Sequence, residues 1–419
     1  MTLGDTAVSG SAGRSCRAVT SLGALIYGGG VILAPVYLWS SGGMQLSHVL
    51  FGLFFLITLL PFVARLRVPA RDFMSRILLV FVLYVWAREV VAFTESRAFG
   101  AFIVPLHFTF VLLLFYASRL YLSSYERLLL LSRVLTLSVA LSLVSVLLGG
   151  VGITVGAGSG RAVGFFNNPN QLGYYAVCAA STFAVLRCAG VVSVRRFLVM
   201  LAVLVFLAVL SLSKAAILSV LVIPILYALD VFWATLARLL SPRFAVSTAR
   251  LALGIAFSTV ALLLLTVWIS TIELPKSDDF LVVDRLVNFR AESDSSLTVR
   301  GYGLIFQASP VEQMFGTSSL TAAIRHDGHE VHSTLMAPLT YYGLLGGGMF
   351  VVFFAAWWAG LRKRVGLLWA ALIFLPVFLF GITHNGSRFS LFWILVAASA
   401  SSAVAVRART PAQLEDTRG

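Results

Sequence analysis

The feature that most restricts this chain is a succession of apolar runs, each about 20 residues long, from residue 19 to residue 406. A run of that length spans the ~30 Å hydrocarbon core of a bilayer as an α-helix. In lipid, helices and closed barrels are the structures that satisfy every backbone donor and acceptor internally. Twelve spans are expected, at 19–39, 45–64, 73–93, 99–118, 128–148, 171–189, 196–212, 214–236, 250–272, 333–360, 366–382 and 388–406. Hydrophobic residues make up 59% of the chain and charged residues 11%. A soluble domain has roughly a quarter of its residues charged, so a soluble fold is excluded. The expected fold class is all-α: a polytopic integral membrane protein of about twelve transmembrane helices, with residues 1–419 forming one transmembrane domain.

The net charge of +14 raises the question of a nucleic-acid partner, and its distribution answers it. With the amino terminus inside, the inner face receives 21 Lys/Arg and 6 Asp/Glu, and the outer face 10 and 11. Clusters such as "RLRVPARDFMSR", "RCAGVVSVRR" and "RKR" all fall on inner loops. This is the positive-inside pattern. It places both termini in the cytoplasm and reports orientation and contact with anionic membrane lipid, with no nucleic acid implied. The first run follows Arg14 and Arg17 but lacks a small-x-small cleavage site, so a retained helix is expected. Cys16, Cys178 and Cys188 offer neither a disulfide framework nor a metal spacing.

One connection breaks the pattern of short loops. Residues 273–332, between the ninth and tenth spans, form a long outer, periplasmic loop rich in acids, bases and serine. Loops beyond about 15 residues are usually functional or disordered. Its periodic apolar stretches, such as "DRLVNF" and "RGYGLIFQA", predict short helices lying against the membrane.

Polar residues that an apolar chain does not require collect on that same face. Arg161 precedes the sixth span, Lys214 sits in "SLSKAAIL" between the seventh and eighth, and Arg300 lies in the long loop. His332 ends that loop, and "THNGSRF", with His384 and Arg388, joins the last two spans. A lone arginine at a helix end also serves by snorkelling to headgroups. Asn167, Asn168 and Asn170 also serve as turn and capping residues for the sixth helix. Lys214 has apolar neighbours on both sides, and ionisable groups at membrane depth generally mark function. Arg88 and Glu89, about a turn below the outer end of the third span, are expected to satisfy each other as a pair.

Three of the six histidines, His326, His329 and His332, fall within seven residues. Imidazole and carboxylate both bind zinc, and Asp327 and Glu330 lie between them. On a helix, however, the three rings would fan over about 120°, no H-E-x-x-H spacing is present, and Gly328 disfavours a continuous helix. No metal site and no cofactor are therefore expected. A base or proton carrier is the better use of an imidazole at an interface.

The stretches "GRAVGFFNNPNQLGYY", "SLSKAAIL", "RGYGLIFQASPVEQMFG" and "HSTLMAPLTYYGLLGGGMF" occur in the order and spacing of the O-antigen ligase and polysaccharide polymerase family. The resemblance covers about residues 130–380. It implies a bacterial inner-membrane glycosyltransferase with its active site facing the periplasm. The implied donor is a glycan on undecaprenyl diphosphate, and the implied acceptor is a glycan or a lipid A core. Nucleotide sugar and metal are not required. By the same resemblance His332 is the catalytic residue, and Arg300, Lys214 and Arg161 meet the donor diphosphate. Lys214 stands where relatives often carry arginine, which keeps the charge but loses the planar fork. His329, His326, Asn170, His384 and Arg388 are then candidates for acceptor contact or support. The different class to set beside this is a secondary transporter or lipid-linked-sugar flippase. Its usual long central connection is inside, whereas the connection between the sixth and seventh spans here is short. Paired interrupted helices in two halves are not evident in the sequence.

Overall fold

The structure, a computed structural model, describes residues 9–39, 44–63, 72–150, 161–239, 301–326, 328–401 and 404. Among these the chain is helical, with no strand. The helices are α1 (Ser9–Ile32), α2 (Leu46–Val63), α3 (Phe73–Ser96), α4 (Ile103–Tyr121, entered through a 3₁₀ turn at Phe99–Phe102), α5 (Tyr125–Gly150), α6 (Pro169–Cys188), α7 (Val194–Leu210) and α8 (Lys214–Leu239). After residue 300 come three short helices, α9 (Leu304–Gln307), α10 (Pro310–Phe315) and α11 (Ser319–Arg325). Three long or apolar ones follow: α12 (Met336–Val365), α13 (Leu367–Thr383) and α14 (Ser390–Ser399). Every expected span except the ninth overlaps one of these helices; the ninth, 250–272, lies outside the described residues.

Among the described residues five segments are long and apolar enough to cross a membrane: Phe73–Ser96, Phe99–Tyr121, Tyr125–Gly149, Lys214–Trp233 and Met336–Val365. Shorter apolar helices accompany them at Ser21–Ile32, Leu46–Leu59, Leu367–Thr383 and Ser390–Ser399. The protein is thus an all-α membrane protein. Several boundaries differ from expectation: the first helix starts at Ser9 rather than 19, and α14 ends at Ser399 rather than 406. The first helix stops at Ile32 rather than running to 39, because Pro35 has no N–H for the next turn and disfavours helix at the residue before it.

α6 is the centre of the bundle. Every residue from Leu172 to Leu186 is buried, and the helix packs against α5, α7, α8, α13 and α14. Its sequence explains this: "QLGYYAVCAASTFAVL" is apolar on all sides and rich in small residues. Such a helix can be surrounded, and small residues let neighbouring backbones approach where lipid gives no hydrophobic drive for association. Asn168 starts it as N-cap, its side chain accepting from Asn170 N at 2.8 Å, with Pro169 at the first turn. The same core continues between α12, α13 and α14 through Phe354, Trp357, Phe374 and Phe392, with Trp357 Nε1 donating to Ser399 Oγ at 2.8 Å.

At the end of the bundle where α3 begins and α4 stops, cations are spent on helix ends. Asp72 caps α3 by accepting from Ser75 N at 2.9 Å and pairs with Arg119. Arg364 donates to Ser399 O at 3.1 Å. The candidate site lies at the opposite end.

Candidate functional site

That opposite end is built by three segments returning between helices: 161–168 before α6, 211–213 between α7 and α8, and 384–389 between α13 and α14. Arg161 joins the first two. Its Nε donates to Ser211 O at 3.1 Å and its Nη2 to Asn170 Oδ1 at 3.1 Å, while Ala162 N donates to Leu210 O at 3.0 Å. Lys214, half-buried at the start of α8, emerges from this turn. Arg161, Asn170 and Lys214 are therefore brought together, with Arg161 holding the turn that carries Lys214. Tyr174, one turn into α6, links this group to the third segment. Its ring stacks on Phe380 at 4.4 Å, and a Cβ on Gly386 would sit 2.3 Å from the Tyr174 ring and hydroxyl. The His384 ring stacks on the same Phe380 at 4.6 Å.

His332 reaches the site from the other side. Ser333 Oγ donates to Gly381 O at 3.1 Å. Thr334 N donates to Gly381 O at 2.8 Å and to His384 O at 3.1 Å, and Thr334 Oγ1 accepts from Gly386 N at 2.8 Å. On the preceding side Val331 N donates to Tyr341 Oη at 3.0 Å. The backbone is thus pinned by buried neighbours on both sides of His332, whose own side chain is exposed. Arg388 completes the link, with Nη1 donating to Glu330 Oε1 at 2.5 Å. His332, His384 and Arg388 stand in one region.

The other two histidines stand apart from it in local structure. His326 caps the end of α11, Gly328 takes φ +81°, and His329 is exposed. The His326 and His329 rings are 5.9 Å apart, centroid to centroid, and the three histidines do not share a helix. Among the described residues no three His, Cys, Asp or Glu side chains are grouped to hold a metal ion. Arg300 lies outside the described residues. Tyr302, two positions on, donates its hydroxyl to Ile382 O and so ties that stretch to the end of α13.

Arg88 and Glu89 were expected to satisfy each other. Instead they hold the short helices. Arg88 Nη2 donates to Gly316 O at 2.7 Å, and Tyr84 Oη donates to Phe315 O at 2.8 Å. Fully buried Glu89 accepts from Ser319 N at 2.7 Å and from Tyr342 Oη at 3.0 Å. The docking also interrupts α12. Gly343 leaves helical geometry (φ 64°, ψ −168°), and Ser318 N donates to the freed Tyr341 O at 2.9 Å. Gly316, at φ +87°, fits against this break, where a Cβ would lie 2.3 Å from Tyr341 O. Within the segment the Arg325 guanidinium, together with the Ser309 backbone, holds the Glu312 carboxyl down to about 2.

Sequence reasoning missed His107. It lies on α4 beside a cavity shared with the start of α12 and the 385–388 loop, and its Nε2 is buried without a hydrogen-bond partner. A lone imidazole in the apolar run "VPLHFTFVLLLF" was the available signal.

Fold and site together define a class, an all-α membrane protein with a polar centre at one end of its helix bundle. Compared with models of known protein families and with curated proteins, the sequence matches none.

Proposed function

We propose that this chain is a membrane glycosyltransferase of the O-antigen ligase and polysaccharide polymerase type, acting on a glycan carried by undecaprenyl diphosphate. In this reading twelve helices span the bacterial inner membrane, both termini are cytoplasmic, and the centre around His332 opens to the periplasm. The acceptor is a glycan or a lipid A core.

The observation that carries the reading is the setting of His332: an exposed imidazole on a backbone pinned at 331 and at 333–334, beside Arg388 and His384. A base held in one place without being buried can meet a hydroxyl presented at the membrane surface. His332 takes the proton of an acceptor hydroxyl as its oxygen attacks the anomeric carbon. The bond from that carbon to the diphosphate oxygen breaks, and undecaprenyl diphosphate leaves with the electron pair. Fixed cations meet the charge that develops. Lys214 and Arg300 are assigned that contact. Arg161, with two nitrogens already placed on Ser211 O and Asn170, contributes by holding the Lys214 turn. These cations serve in place of a metal, so a chelator is expected to leave the rate unchanged. The break in α12 is a feature that transporters also use. Here, though, the freed carbonyl is taken by Ser318 of the same chain rather than left to line a path.

The test is glycan transfer from an undecaprenyl-diphosphate-linked oligosaccharide by purified variants. His332→Ala should lose about 10²–10⁴-fold, the usual contribution of a positioned base, and still bind donor. Transfer by His332→Ala at the wild-type rate would remove the assignment. For topology, cysteine at position 325 should react with an impermeant reagent added to spheroplasts, and cysteine at 364 should not.

A further inference from the structure

The cavity beside His107 holds more hydrogen-bonding capacity than the protein uses. It lies between α4, the first turns of α12 and the 385–388 loop, with Phe108 and Pro338 forming apolar walls and His107, Tyr341, Asn385 and Arg388 supplying the polar ones. The polar groups share one property. Arg388 places only Nη1 on Glu330, leaving the rest of a five-donor fork. Asn385 spends its oxygen on Ser387, accepting from Ser387 N at 3.3 Å and Oγ at 2.7 Å, which leaves its amide N–H groups. The Tyr341 oxygen accepts from Val331 N, which leaves its O–H to donate. The His107 ring meets the Ser387 backbone, and its Nε2 is buried without a hydrogen-bond partner. The unspent capacity is therefore donors, plus one imidazole nitrogen that takes either role.

His107 Nε2 is buried, while Arg388 and Asn385 are half-buried and line the same cavity with donors to spare, so such a set fits a ligand made of acceptors. Size narrows it further. The cavity is about 60 Å³. A water needs roughly 10–15 Å³ of such space, so there is room for about four oxygen atoms and not for a sugar ring. The occupant of Arg388 points the same way, because Glu330 already offers it a carboxylate and is itself half exposed, at 46%.

We infer that this cavity binds one oxyanion, a phosphate or carboxylate group, which displaces Glu330 from Arg388 and is met by His107, Asn385 and Tyr341. Thr334, which accepts from the backbone of Gly386 between Asn385 and Ser387, is two residues from His332. The anionic group therefore sits on a molecule lying against the proposed reaction centre. Resting on the proposed function, that molecule is the acceptor glycan bearing an acidic substituent; a lipid headgroup presents the same chemistry. Binding itself does not depend on that function.

The experiment is a titration followed by NMR of the protein labelled with ¹³C at histidine Cε1. The chain has six histidines, and the His107 resonance is assigned by its loss in His107→Gln. The probes are inorganic phosphate, glucose 6-phosphate, phosphatidic acid and, as neutral control, glucose, each added to protein in a phosphate-free detergent. Phosphate-bearing probes should move the His107 signal to saturation, and glucose should not. Arg388→Gln should abolish the shift, and Arg388→Lys, which keeps the charge and controls for folding, should retain it with weaker binding. Glu330→Gln, by removing the competing carboxylate, should tighten binding about tenfold. Tighter binding of glucose 6-phosphate than of phosphatidic acid assigns the group to a glycan, and the reverse order to a lipid. No shift with any phosphate probe, an equal shift with glucose, or a shift that survives Arg388→Gln would overturn the inference. Because the readout is binding, a failure of glycan transfer by the wild-type protein would leave it standing, and failure here would leave the His332 assignment standing.

Discussion

Replacing Glu89 by alanine should detach α11 from the bundle while leaving the bundle folded. The carboxylate is fully buried, and Oε1 accepts from two donors that have no access to water: the Ser319 N–H, on a residue 6% exposed, and the Tyr342 hydroxyl, on a residue 0% exposed. Alanine leaves both without an acceptor, at about 1–3 kcal/mol for each orphaned buried donor, or about 2–6 kcal/mol together. Glutamine keeps one oxygen in place and should cost about 1 kcal/mol or less, since the second carboxylate oxygen has no partner to lose. The Ser319 share of this loss, about 1–3 kcal/mol, falls on a local opening of the 316–325 stretch, while the Tyr342 share falls on α12. With about 1.4 kcal/mol per tenfold, amides of 318–325 should exchange with solvent about 5-fold to 100-fold faster in Glu89→Ala, as read by hydrogen exchange and mass spectrometry. Exchange in α6 should be unchanged. Wild-type protection of 318–325 in Glu89→Ala, or equal loss in Glu89→Gln, would refute the reasoning.

Gly343→Ala should be destabilising by about 1–3 kcal/mol from backbone strain alone, since φ 64° with ψ −168° is a glycine conformation. Its Cβ would also meet Gly316 N at 2.5 Å. Gly348→Ala, on the same helix with nothing within 4 Å, should be neutral or slightly stabilising, and thermal unfolding in detergent compares the two. Acid should loosen the 309–325 stretch. The Glu312 carboxyl titrates near 2 in the folded protein against 4.5 ordinarily, so its stabilising contribution is complete above about pH 4.5 and is lost as pH falls towards 2. Arg325→Gln should move that loss to higher pH, seen as pepsin cleavage within 309–325 beginning at a less acid pH than in wild type.

The helices were legible because length and apolar composition decide what can exist in a bilayer, and those are properties of a sequence window. α9 falls within "RGYGLIFQA" for the same reason, its short apolar period being local. What could not be read were partners. Arg88 and Glu89 are adjacent and opposite in charge, which reads as a pair, yet each finds its hydrogen bonds more than 200 positions away, Arg88 at Gly316 O and Glu89 at Ser319 N and Tyr342 Oη. Nothing in the third span announces that a glycine turn will be brought to it. His107 was passed over on similar grounds, because a single imidazole in an apolar helix carries no sign of which loop it will face. The grouping of Lys214, His332, His384 and Arg388 was legible in outline, since each lies where a helix ends and alternate ends of successive spans share a face. Their division into two groups joined by Tyr174 was not, because it depends on how α6 is surrounded.

That division bears on how the site is held. Lys214 and Arg161 are fixed by the α7–α8 turn and the start of α6, whereas His332 and Arg388 are fixed by α12, α13 and the loop after α13. Two aromatic bridges join them, Tyr174 against Phe380 and Phe389 and Phe166 stacked on Phe389, with Gly386 packed too closely on Tyr174 to admit a side chain. Positioning across the two groups therefore draws on the Tyr174 and Phe166 rings and on one bare backbone position. The break in α12 adds a second constraint. Because Tyr341 both gives up its carbonyl to Ser318 and accepts from Val331 N with its hydroxyl, the docking of α10–α11 and the placement of His332 share a residue. Loosening the short helices should thus also loosen the backbone beside the exposed imidazole. The proposed transfer at the membrane surface would gain from this arrangement, since the His332 ring stays exposed while its backbone supports are buried.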